Sequence, residues 1–271
     1  MRPLAQRILL SCCLLLAAVV ATPRMSEPAS AVPVHPDGIT IPADVERIGF
    51  NKNGTLLLGA GEDGTVRFWT LGDGKEYGAP LVGHTGPVTG MAFHPNGRWL
   101  ATGSADGTVR VWDLSTRTTR SRWAFGSYRQ VRALAFSPDG QRLATALDDD
   151  VYVWGLGSGD GIGPFPHDPG RSTAAHEVAF SPDGKTLVAA CANNVVLAWD
   201  PATGERVGAP MFHTGPVLGV AFSPDGTMLA SADSGTVYPV RLWQAGTTAY
   251  LRALSTQRLP VLSLAFSPEG A

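Results

Sequence analysis

The sequence predicts an all-β fold assembled from one four-stranded unit repeated along the chain. The first observation behind this is a phenylalanine that closes an apolar run and precedes a turn. It recurs at Phe50, Phe93, Phe136, Phe180, Phe222 and Phe266, at intervals of 43, 43, 44, 42 and 44 residues. The second is a tryptophan at the same period, at Trp69, Trp112, Trp154, Trp199 and Trp243. The third is the abundance of turn formers, 32 Gly and 21 Pro in 271 residues. Their fixed register separates a turn-rich repeat protein from a flexible one.

Each element of the unit follows from local chemistry, and the second unit reads most clearly. Residues 88–93, "VTGMAF", form a short and largely apolar run, which suits a strand buried on both faces. Pro95-Asn96-Gly97 is a turn, since proline presets φ and glycine accepts a positive φ. Residues 99–102 form a second strand, Asp106-Gly107 is a hairpin signal, and residues 108–112 are a β-branched third strand. A less regular fourth strand leads into the next unit. Four strands in about 43 residues make the blade of a β-propeller. The expected fold is therefore an all-β propeller with five complete four-stranded blades and an incomplete sixth. The units span about 45–70, 88–113, 131–155, 176–200, 217–244 and, in part, 261–271. An incomplete last blade leaves strand edges open to self-association. Its reading is a truncated gene product, with closure through residues 39–41 or dimerisation as alternatives.

Gly83-His84 before the first strand, Asp106-Gly107 at the hairpin and Trp112-Asp113 closing the third strand resemble the WD-repeat β-propeller family, in its bacterial form. Trp199-Asp200 repeats the last dipeptide, while Trp69-Thr70, Trp154-Gly155 and Trp243-Gln244 depart from it. The resemblance covers residues 42–270. It implies a buried hydrogen-bonded set in each regular blade: His84, Thr102, Asp106 and Trp112 in unit two, and His213, Ser231, Asp233 and Trp243 in unit five. "GAP" precedes and "HTGPV" begins at both histidines. Unit three keeps Thr145, Asp148 and Trp154 without the histidine, unit one keeps Asp63 and Trp69, and unit four has Asn193-Asn194 at its hairpin.

The first 31 residues differ in kind. Arg2 and Arg7 precede a 14-residue apolar run over residues 8–21, with small residues at Ala21 and Ala31 suited to cleavage. This reads as a signal peptide or a membrane anchor over residues 1–31, followed by a linker over 32–41 and the propeller over 42–271. The expected location is exported, in the extracellular space or cell envelope, with a possible tether through residues 8–21. A misplaced start codon on a longer protein is the remaining alternative. Arginine outnumbers lysine 18 to 3, the codon usage of a GC-rich bacterial genome. Cys191 alone lies beyond the leader, in an apolar strand, so no disulfide is expected there.

Function is sparsely written. A net charge of −2 with 16% charged residues excludes a basic nucleic-acid surface. No phosphate loop, CxxC or HExxH is present, and neither a metal nor another cofactor is expected. The recurrent His, hydroxyl, Asp and Trp are read as structural, because a catalytic triad needs one exposed nucleophile rather than the same set in several blades. Asp148-Asp149-Asp150 is read as a solvated hairpin rather than a cation site, and Arg67, Arg110 and Arg241 as structural cross-blade pairs. The irregular loops entering the first strands carry Tyr128, Arg129, Arg171 and Arg258, candidates for a rim that receives an acidic protein partner. The function expected is a non-catalytic scaffold for protein partners. The alternatives are a regulatory or sensory module detached from a multidomain bacterial kinase or protease, and a propeller hydrolase.

Overall fold

The computed structural model describes residues 20–21, 40–41, 44–126, 129–148, 150–165, 174–235, 239–254, 261 and 263–267. Regular structure among them is entirely β. Five antiparallel sheets follow one another in chain order. Their inner strands are Val45–Phe50, Val88–Phe93, Val131–Phe136, Ala175–Phe180 and Val217–Phe222. Consecutive inner strands are neighbours in space, as expected of blades around an axis. A two-residue parallel pair, Val20–Ala21 with Thr40–Ile41, lies outside this pattern. No helix among the described residues is long and apolar enough to cross a membrane.

The turn chemistry acts as the sequence requires. Gly54, Gly97, Gly140, Gly184 and Gly226 close the five first turns with φ between 63° and 72°. Serine reinforces three of these turns: Ser137, Ser181 and Ser223 each donate to the turn aspartate and accept a backbone N–H five residues on. Such closed local bonding satisfies groups the turn would otherwise leave unpaired.

The second and third strands hold the core. In blade four, Leu187–Cys191 and Val195–Trp199 are buried along their whole length. Cys191 is fully buried there, packed as a small apolar side chain. Trp199, Leu57, Leu100, Leu143 and Leu187 are also fully enclosed. Burial on this scale stabilises by about 1.5–3 kcal/mol per large side chain.

Two features depart from five equal blades. The outer strands are unequal: Thr118–Ala124 and Ala249–Leu254 are full, Gly161–Ile162 and Met211–Phe212 are two residues long. Blade one has a three-stranded sheet, and residues 76–81 join it through bridges from Trp69 to Glu76 and Val66 to Leu81 and a bond from Tyr77 N–H to Phe68 C=O, with Arg117 donating to the Tyr77 and Ala79 carbonyls. The cause is proline. Pro80, Pro164 and Pro210 adjoin the short outer segments and cannot donate to a ladder, whereas the two full outer strands contain none. The sixth unit forms no strand among the described residues. Ser263 and Leu264 lie beside Gly219, and Val261 N–H bonds to Asp233 C=O at 3.4 Å, so the segment starts where a further inner strand would stand.

Candidate functional site

Blades two and five bring the expected residues together. In blade five the Trp243 indole N–H donates to Ser231 Oγ at 2.7 Å. Ser231 Oγ stands 2.7 Å from His213 Nε2, and His213 Nδ1 stands 3.0 Å from Asp233 Oδ2. One proton arrangement satisfies every group. The hydroxyl accepts from the indole and donates to Nε2, and the imidazole carries its proton on Nδ1, donating to the carboxylate. A proton on Nε2 would leave the hydroxyl hydrogen without an acceptor. Burial accordingly holds His213 below the usual imidazole range, against the attraction of Asp233.

Blade two repeats the arrangement with His84 Nε2 to Thr102 Oγ1 at 2.7 Å and Trp112 Nε1 to Thr102 Oγ1 at 2.7 Å. Here Nδ1 is shared between Thr108 Oγ1 at 2.9 Å and Asp106 Oδ2 at 3.4 Å. Burial lowers His84 to about 4. Burial alone would raise Asp106, but donors from Thr108 and Thr85 outweigh it and lower the carboxyl to about 2.

The two blades differ in one respect that the sequence conceals. Asp106 lies in the hairpin, whereas Asp233 is the last residue of its second strand, paired with Val217 as Ser104 is with Val88. The carboxylate reaches its histidine from two residues earlier. Both versions accept the N–H after the histidine, from Thr85 at 2.9 Å and Thr214 at 3.2 Å. In blade three, Trp154 donates to Thr145 at 2.9 Å without a histidine. In blade one Gly59 stands where Thr102 stands in blade two, with Trp69 packed against it, and in blade four Ala189 takes that place.

None of these sets has the geometry of a nucleophile site. Thr102, Ser231 and Asp233 are wholly buried, and each hydroxyl is engaged on both sides. Among the described residues, no group of three or more His, Cys, Asp or Glu side chains is placed to hold a metal ion.

The rim set fares differently. Tyr128, Arg171 and Arg258 lie outside the described residues. Arg129 is described, and its guanidinium is ion-paired with Asp150 and within 3.5 Å of the Tyr152 hydroxyl. It is therefore charge-compensated inside its own blade. Asp148 pairs with Arg132 at 3.2 Å, so both described members of the aspartate run face arginines. Of the arginines before the tryptophans, Arg110 and Arg241 bond to Gly83 and Phe212 carbonyls at the junction with the preceding blade, while Arg67 pairs with Asp63 and Glu76 within blade one.

Two sets of polar residues were missed by sequence reasoning. A bulge near the start of every inner strand singles out polar Glu46, Thr89, Arg132 and His176 in the first four blades, and apolar Leu218 in the fifth. Glu177, beside this position, accepts Val220 N–H from the next blade at 2.9 Å, and burial pushes its carboxyl up to about 7 despite the charge of Arg47. The second set links the first turns of successive blades. Lys52 donates to Pro95 C=O at 2.7 Å, His94 to Gly140 C=O at 2.9 Å and Arg142 to Gly184 C=O at 3.0 Å. Their positions in the aligned units, near each turn, were the only signal available.

Sequential antiparallel sheets, two of them braced by a buried Trp–hydroxyl–His–Asp chain, define a repeat propeller in which these polar residues serve its own packing. The family model "WD domain, G-beta repeat" matches residues 31–70, 76–113, 121–155, 169–200 and 206–238. The chain belongs to the WD-repeat family. It is 35% identical over 95 residues to an uncharacterized WD repeat-containing protein of Synechocystis sp., an alignment covering 35% of this chain and 27% of that protein. It is 32% identical over 104 residues to eukaryotic translation initiation factor 3 subunit I of Emericella nidulans, covering 38% and 30% of the two chains. The corresponding subunit of Aspergillus fumigatus is 29% identical over 102 residues, 38% of this chain and 29% of that one. The matched segment thus spans less than a third of each of these relatives.

Proposed function

We propose that this protein is a non-catalytic scaffold that holds a protein partner on the rim formed by the loops entering the inner strands. The observation that carries this reading is the complete internal use of the recurrent His, hydroxyl and Asp groups, which leaves no activated nucleophile in either tetrad. The residues proposed to meet the partner are Tyr128, Arg171 and Arg258, with Arg129 contributing through its ion pair rather than as an open cation. Residues 8–21 are proposed to direct export or to tether the chain, which cell fractionation with and without that segment tests.

The test is quantitative co-purification from the source cells under crosslinking, comparing the wild type with Arg171→Glu/Arg258→Glu. A specific partner recovered with the wild type and depleted with the variant, at unchanged melting temperature, is the expected result. Equal recovery with both removes the rim from the reading. Turnover of an ester or peptide panel that disappears in Ser231→Ala would overturn the non-catalytic assignment.

A further inference from the structure

A cleft of about 530 Å³ opens between blades two and three, on the face that carries the turns after the first and third strands. That volume is in the range of small-ligand pockets, roughly 300–1,000 Å³. Blade two supplies Trp99 from its second strand and Arg120 and Ser121 from its outer strand. Blade three supplies Gln141 beside its first turn and Leu156 and Ser158 from the turn after its third strand.

The chemistry of this lining is one-sided. The Arg120 guanidinium carbon lies over the Trp99 ring, 4.2 Å from the ring centroid, and the side chain has no hydrogen bond or ion pair among the described residues. A guanidinium held against an aromatic ring can still donate its N–H groups to an anion. A second guanidinium, that of Arg142, borders the cleft and is anchored on Gly184 C=O. The Ser158 hydroxyl oxygen accepts Asp160 N–H, which leaves its own proton to donate. The Trp99 indole N–H is enclosed and has no acceptor among the described residues. No carboxylate lines the cleft, while Val111 and Leu156 give it an apolar wall. Surplus donors, an uncompensated cation and an apolar wall in one open cleft are complementary to an acceptor that is anionic at one end and apolar at the other.

We propose that this inter-blade cleft is a binding site for an organic carboxylate with an apolar body, in which Arg120 holds the carboxylate and Val111 and Leu156 contact the body. The site lies on different loops from the proposed partner rim, and neither reading requires the other. Gly157 offers an independent handle, because a side chain placed there meets nothing within 4 Å and would project into open space at the cleft wall.

The experiment is an NMR titration of the whole protein, following the seven tryptophan indole N–H signals, with that of Trp99 assigned by Trp99→Phe. Three probes are compared: 3-phenylpropionate, its uncharged amide, and a blocked tetrapeptide carrying one glutamate beside a leucine. Saturable movement of the Trp99 signal by 3-phenylpropionate is expected, with affinity lower by about tenfold or more for the amide and in Arg120→Gln, the loss of one charge-assisted contact. Gly157→Leu is expected to abolish the movement by filling the cleft while Arg120 remains. Tighter, Arg120-dependent binding of the tetrapeptide also supports carboxylate recognition and assigns its source to a polypeptide. Equal affinities for acid and amide, binding unaffected by both variants, or no saturable movement by any probe in the millimolar range overturns the proposal.

Discussion

Replacing His213 by alanine tests the bracing of blade five most directly. The imidazole is fully enclosed, with its side chain and that of Asp233 both 0% exposed. The substitution removes the bonds to Ser231 and Asp233, strands the Ser231 hydroxyl proton and leaves a void the size of a five-membered ring. Asp233 keeps Thr214 N–H, Thr214 Oγ1 and Gly235 N–H, so its charge is not orphaned. Loss of a charge-assisted bond, an unsatisfied hydroxyl and a cavity together cost about 3–5 kcal/mol. For a domain of this size that is a fall of roughly 6–15 °C in melting temperature. His84→Ala should cost less, because its contact with Asp106 is longer, 3.4 Å against 3.0 Å, and Asp106 is partly exposed. Calorimetry at neutral pH, joined to a cycle with Trp243→Phe, measures both effects. The two changes should couple by about 0.5–3 kcal/mol through their common hydroxyl. Unchanged melting in both histidine variants, or strict additivity with Trp243→Phe, would refute the bracing argument.

Two pH predictions have opposite signs. His84 is lowered from 6.5 to about 4 mainly by burial, so the unfolded chain takes up a proton that the folded one refuses. Its contribution is intact above pH 6.5 and is lost as pH falls towards 4, by up to about 3 kcal/mol, and urea unfolding across that range should show the loss shrinking in His84→Ala. Glu177 is raised from 4.5 to about 7, again by burial, so the folded state holds the extra proton and stability falls as pH rises through that window. Because the residue keeps some solvent contact, the expected change is about 1–3 kcal/mol. Glu177→Gln keeps an acceptor for Val220 N–H and should flatten this slope in the same assay; an unchanged slope would contradict the assignment.

The repeat was legible because its signals are local. A phenylalanine before a turn glycine and a tryptophan on the third strand need only near neighbours to be placed. The Trp112–Thr102–His84 chain was reached by the family resemblance rather than by any single residue type. Asp233 shows the limit: its identity suggested a hairpin carboxylate, yet it stands in the strand, and only three-dimensional proximity reveals that a different backbone position delivers the same oxygen. The ion pair of Arg129 was hidden for a related reason, since Asp150 lies 21 residues further along the chain. The cleft with Arg120 was invisible because its walls belong to two blades whose docking the repeat pattern does not specify.

The bonds between successive first turns have a bearing on how such a chain changes over generations. Their donors differ, a lysine, a histidine and an arginine, but every acceptor is a main-chain carbonyl. Between blades four and five, Pro182 simply lies against Gly226. At these first-turn contacts a blade therefore asks of its neighbour at most a backbone oxygen, which every turn of this shape provides whatever its side chains. Unequal recombination that duplicated, deleted or reordered whole repeats would present each new junction with an acceptor it already fits. This part of the coupling between neighbouring blades is thus also one that leaves them exchangeable.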